Sequence, residues 1–131
     1  MKYRHILLAD DDPEDREMIA DAFSEIGSSD TIDFVENGEE ALRRLDGLAD
    51  AELPRLVILD LNMPILNGTQ TLLKIRDNPR YKSLQVVIFS TSVNPHEKEA
   101  CLVAGAHSYV TKPMLYRDAL DTARRFLDLA K

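Results

Sequence analysis

The chain has 131 residues, a length that suits one ordinary domain, and 44% of them are hydrophobic, enough for a single packed core. The 30% of charged residues and a net charge of −7 argue against disorder and against nucleic acid as a direct partner, because phosphate binding needs a basic patch. No apolar run approaches the ~20 residues of a membrane span, and the lone Cys101 cannot form an internal disulfide, so a reducing cytoplasm is the expected location.

Met1 to Ala9 lacks the charged region, long apolar stretch and cleavage site of a signal peptide and reads directly as a first strand. Its apolar run is Ile6 to Ala9. Met18, Ile19, Ala22, Phe23 and Ile26 then fall at helical spacing, with Asp12 as N-cap, Pro13 at the first helical position and Gly27 as terminator. A second run, Ile32 to Val35, ends in Glu36-Asn37-Gly38, which reads as a turn. Ala41, Leu42, Leu45 and Leu48 form the next stripe. The third run, Leu56 to Leu59, precedes a helix carrying Thr69, Leu72, Leu73 and Ile75, stopped at Asn78-Pro79. Val86 to Phe89 is the fourth run. Ala100, Val103 and Ala104 suggest a helix ended by Gly105, with Cys101 as a small core filler. Ser108 to Thr111 is the fifth run, followed by the clearest stripe: Tyr116, Ala119, Leu120, Ala123, Phe126 and Leu127. The first, third and fourth runs are almost continuously apolar, as strands buried on both faces are. Alternating strands and helices, five of each, predict a single doubly wound α/β domain with a parallel sheet. No further domain is expected within residues 1–131.

In such folds the site lies beyond the C-terminal ends of the strands. Asp10 and Asp11 follow the first run, Asp60 the third, Ser90, Thr91 and Ser92 the fourth, and Lys112-Pro113 the fifth. Neighbouring strands would bring three carboxylates, a hydroxyl and an ammonium together. Two like charges ~4 Å apart repel by roughly 4 kcal/mol at an effective dielectric near 20, so either one carboxylate keeps a proton or a cation sits among them. All-oxygen ligands favour Mg²⁺, with Mn²⁺ a workable substitute. The set suits phosphoryl transfer to a carboxylate, with Asp60 as nucleophile, the metal and Lys112 neutralising phosphoryl oxygens, and Ser90 donating to one of them. Asp12, Glu14 and Asp15 read as a cap and a first turn favoured by the helix dipole, not as ligands. His5, His96 and His107 show no metal-ligand spacing. Met63 and Met114 read as loop and packing residues, and Gly68 as a backbone requirement.

Asp10-Asp11, the run Asp60-Leu61-Asn62-Met63-Pro64, Gly68, Ser90, Tyr109 and Lys112-Pro113 together resemble the receiver domain of bacterial two-component response regulators over nearly the whole chain. The resemblance implies a flavodoxin-like sheet of order 2-1-3-4-5. It implies Asp60 as phosphoacceptor, Asp11 as direct metal ligand, and Asp10 as a ligand mostly through water. The Asn62 backbone carbonyl would be the third protein ligand and Lys112 a phosphate clamp. Ser90, Thr91 and Tyr109 fall at switch positions, and Asn62 and Ser92 where phosphate lifetime is tuned. Further expectations are a histidine kinase or phosphotransfer protein as donor and a downstream protein partner on the face of the fourth helix, fifth strand and fifth helix. The Lys112-Pro113 bond is expected to be cis. Two other classes compete: a hydrolase with an aspartyl-phosphate intermediate, which usually needs a second Asp where Asn62 stands, and a pseudo-receiver that only binds.

Overall fold

The computed structural model describes residues 6–29 and 31–131. The part of the first-strand reading that covers Met1–His5, and the reading of His5, lie outside the described residues. The elements are β1 (Ile6–Ala9), α1 (Pro13–Glu25), β2 (Ile32–Val35), α2 (Gly38–Asp46), β3 (Leu56–Asp60), α3 (Gly68–Asp77), β4 (Gln85–Ser90), α4 (Pro95–Val103), β5 (Ser108–Thr111) and α5 (Tyr116–Leu129). Single tight helical turns at Asp50–Glu52 and Pro79–Tyr81 precede β3 and β4. All strand pairs are parallel, in the order β2-β1-β3-β4-β5. This is the predicted doubly wound sheet, and the order carried over from the receiver resemblance.

The alternation of side chains along each strand divides the core between two faces. Leu7, Val57, Leu59, Val86 and Ile88 point to the layer of α2, α3 and α4, where they meet Ala41, Leu45, Leu72, Ile75 and Cys101. Ile6, Leu8, Ile58, Val87, Phe89 and Val110 point to α1 and α5, against Ile19, Phe23, Ala123 and Phe126. Phe89 and Phe126 meet edge to face, with ring centroids 5.3 Å apart.

Asp12 caps α1, its side chain accepting from the Glu14 amide, and Gly27 adopts φ +78° beyond the helix end, as predicted. Asn37-Gly38, read as a turn, begins α2: Asn37 is its N-cap and Gly38 its first residue. Leu48 lies beyond that helix. The apolar reading of α4 is corrected. Cys101 alone is buried there, Val103 is 81% exposed, and Ala100 is exposed. The reason is position: α4 packs against β5, the edge strand of the sheet, and turns Cys101 alone inward. Burial also pushes the Cys101 thiol above its ordinary pKa.

Candidate functional site

Each strand delivers its last residues to the same edge of the sheet. Asp60 ends β3 and Ser90 ends β4, and the register sets Asp60 opposite Phe89 and Ser90 opposite Thr111. Asp10 leaves β1 with its amide bonded to Val35 O (3.1 Å), and Lys112 leaves β5 with its amide bonded to Ser90 O (2.8 Å). Pairing therefore continues one residue past each of these strands and fixes both backbones.

Asp10, Asp11 and Asp60 converge, with one carboxylate oxygen of each within 4.8 Å of the others. Asp10 and Asp60 are buried while Asp11 faces solvent. The Lys112 ammonium lies 2.8 Å from Asp10 Oδ2 and 3.4 Å from Asp60 Oδ1. It also stands 5.7 Å above the Phe89 ring centroid. Burial, reinforced by the Asp10 charge, raises the Asp60 carboxyl from its ordinary 3.8 to about 7 despite the attraction of Lys112. Burial pulls Lys112 down, but the close approach of the Asp10 and Asp15 carboxylates and the charges of Asp10 and Asp60 outweigh it, and the net shift is upward. Asp10 Oδ2 is buried and accepts no well-aligned hydrogen bond, although the ammonium is close. An orphaned buried oxygen among three carboxylates is what a hard cation would satisfy, so the residues fit a divalent metal.

The loop after β3 is tightly built. Ile65 sits at φ +68°, in a turn closed by the Leu66 amide on Pro64 O (2.7 Å). A Cβ at Gly68 would overlap the Asp60 carbonyl oxygen and come 2.9 Å from Leu61 Cα. Gly68 is thus required by close approach of the α3 start to the end of β3, not by an unusual φ. Met63 is buried in the core and Asn62 is exposed in this loop, two residues beyond Asp60.

Ser90 is buried, its hydroxyl accepting from the Ser92 amide (3.1 Å), and Thr91 is exposed. Tyr109 is only 9% exposed and donates its hydroxyl to Ser92 O (2.9 Å). The ring therefore occupies an inward seat under the loop that follows Ser90. Ser92 Oγ in turn donates to Glu97 at the start of α4 (2.7 Å).

One reading from sequence is corrected. Among the described residues every peptide bond is trans, including Lys112-Pro113. The ammonium reaches the carboxylates by the length of its side chain, from a backbone already anchored on Ser90. Asp15 is the expected first-turn acid and stands outside the carboxylate cluster, and its Oδ2 also lies 2.7 Å from Lys112 Nζ, a contact not read from sequence. A groove of about 370 Å³ lies elsewhere, against α2 between Val35 and Leu48, and gathers none of these groups.

A profile described as the response regulator receiver domain matches residues 6–124. The chain belongs to the response regulator receiver family. It is 32% identical over 108 residues to the chemotaxis protein CheY1 of Helicobacter pylori, covering 82% of this chain and 84% of that protein. Its backbone is similar to the phosphorylated cyanobacterial phytochrome response regulator RcpA, with TM-score 0.84 at 26% identity, covering 96% of this chain and 92% of that one. It is also similar to the Mn²⁺-bound form of the response regulator Rcp1, with TM-score 0.78 at 26% identity, over 92% and 89% of the two chains. This receiver domain is accordingly a module of two-component signalling. Among its described residues no helix is long and apolar enough to cross a membrane.

Proposed function

We propose that Asp60 accepts a phosphoryl group from a histidine kinase or a histidine phosphotransfer protein, in a Mg²⁺-dependent reaction, and that the receiver then signals by a change of shape. The observation that carries this reading is the convergence of the Asp10, Asp11 and Asp60 carboxylates around the buried Lys112 ammonium. One Asp60 carboxylate oxygen attacks phosphorus as the phosphorus–nitrogen bond to the donor imidazole breaks, and the bonding pair leaves on the ring nitrogen. Asp10, Asp11 and Asp60, with the Asn62 carbonyl, would hold Mg²⁺ or Mn²⁺. When bound, the metal supplies positive charge for the phosphoryl oxygens. Lys112 balances the remaining charge, and Ser90 turns its hydroxyl toward an incoming oxygen.

The output face runs over α4, β5 and α5. Leu102 and Val103 on α4 and Tyr116 on α5 are exposed there, at 40%, 81% and 41%. Phosphorylation exchanges one carboxylate charge for about −1.5 to −2. Movement of Ser90 releases the Ser92 amide, and Ser92 also holds Tyr109 and Glu97, so the change reaches β5 and α4 together. A partner that binds one arrangement better than the other reads the signal. The chain promotes only its own phosphorylation and dephosphorylation, and works in the cytoplasm.

Acetyl phosphate with MgCl₂ should give a single phosphoryl adduct by intact mass. The adduct should vanish in Asp60→Asn and with chelator. An adduct that survives Asp60→Asn places the chemistry elsewhere, and steady turnover of small phosphate esters would make the protein a hydrolase.

A further inference from the structure

We propose that Asp15 is a positioning residue for Lys112, holding its ammonium toward α1 and competing for it with the phosphoryl group on Asp60. The inference rests on the phosphoacceptor reading above and adds a regulator to that same site. Asp15 Oδ2 lies 2.7 Å from Lys112 Nζ, nearer than Asp60 Oδ1 at 3.4 Å. An ammonium has three N–H donors. Here Asp10, Asp15 and Asp60 surround it, with only 7% of the lysine side chain exposed. Lysine, Phe89 and α1 leave a gap of only about 10 Å³ between them, so the side chain fills its niche.

Of the three carboxylates, Asp15 alone accepts a well-aligned hydrogen bond from the ammonium, and a phosphoryl oxygen on Asp60 draws the ammonium toward itself and away from the other carboxylates. Asp10 is fixed: it is 1% exposed, and its carbonyl is held by Arg16 (2.6 Å). Asp15 is the partner that gives way, because 29% of its side chain reaches solvent and water can replace the lost bond. Asp15 cannot simply follow the ammonium. The Asp12 cap and the buried Ile19, Ala22 and Phe23 hold α1 in place. The ion pair therefore favours the arrangement without a phosphoryl group and sets how readily the site accepts one.

The test is an NMR titration with beryllofluoride in saturating MgCl₂, on the whole chain. Wild type, Asp15→Asn and Glu14→Gln are compared, the last removing the same charge from the neighbouring exposed position. Asp15→Asn should bind about fivefold more tightly, the factor expected for loss of one partly exposed ion pair. Glu14→Gln should change affinity by under about twofold. A denaturation cycle on Asp15→Asn, Lys112→Ala and the double variant should be non-additive, as direct partners are. Equal or weaker binding by Asp15→Asn, the same gain in Glu14→Gln, or an additive cycle overturns the proposal. Those results leave the phosphoacceptor reading standing so long as wild type binds beryllofluoride. Failure of wild type to bind it sinks both.

Discussion

Replacing Gly68 by Ala tests how closely the helix start is fitted against the phosphoacceptor strand. The added Cβ would stand 2.9 Å from Leu61 Cα, where ordinary contacts begin near 3.4 Å, so α3 must retreat by about 0.5 Å, and further to clear the Asp60 carbonyl. Both obstacles are main chain and cannot rotate away. The Gly68 amide bond to Leu61 O (3.0 Å) stretches as they part. Overpacking of this kind costs about 1–3 kcal/mol. The gain in helix propensity offsets little of it at a first helical position. The midpoint of thermal unfolding should fall by roughly 4–10 °C. Gly47→Ala is the control. Gly47 has φ −83°, its Cβ would meet nothing nearer than 3.5 Å, and the substitution should leave the midpoint unchanged or slightly raised. Calorimetry of both variants decides the matter, with phosphoryl uptake from acetyl phosphate as a second readout. A Gly68→Ala protein as stable and as readily phosphorylated as Gly47→Ala would refute the close-approach argument.

Asp60 gives a pH prediction. Its pKa rises from 3.8 to about 7 on folding, so the folded state binds the proton more tightly, and stability is lost as pH climbs through that window. Without metal, Asp60→Asn should overtake wild type by about 1–3 kcal/mol above pH 7 and match it near pH 4, in urea titrations; a constant difference across pH contradicts the assignment. Asp11→Ala should weaken Mg²⁺ binding by at least about tenfold, whereas Lys112→Ala should leave it equal or tighter, since an ammonium repels the cation; calorimetric titration showing equal losses would undo this division of roles. Ile65→Gly should keep or raise stability by up to about 1 kcal/mol, because the side chain is 72% exposed and φ is +68°; a marked fall in the unfolding midpoint would speak against strain there. Cys101 should react with a thiol reagent only on unfolding, as burial raises its pKa and blocks access; rapid labelling of the native protein would contradict it.

The parts of the fold read from sequence were those written in nearest-neighbour chemistry. Continuous apolar runs such as Leu56 to Leu59 mark a central strand without reference to anything distant, and Asp12-Pro13 marks a helix start by its own geometry. What escaped was set by partners far along the chain. Asn37-Gly38 has the composition of a turn, yet Gly38 starts α2 against Leu66 O, to which its amide donates. Val103 has the spacing of a core residue, but α4 turns Cys101 inward. Asp15 meets Lys112 across 97 positions of sequence, and no local pattern records that meeting. The Lys112-Pro113 geometry depended likewise on the hold of Ser90 over the Lys112 backbone.

The Phe89 ring lies between two regions a chemist would want to observe at once. One face carries the Lys112 ammonium, and the ring also meets Phe126 of α5 nearly at right angles, at 83°. The chain has no tryptophan, so ordinary fluorescence offers little. Ring-current shielding offers more. Phe126 sits in the magnetic shadow of Phe89, and the electron density of Phe89 is polarised by whatever cation stands above it. A fluorine label on Phe126 would therefore serve as a remote meter of pocket charge. It reads the pocket from α5, through a ring on the same face of the sheet.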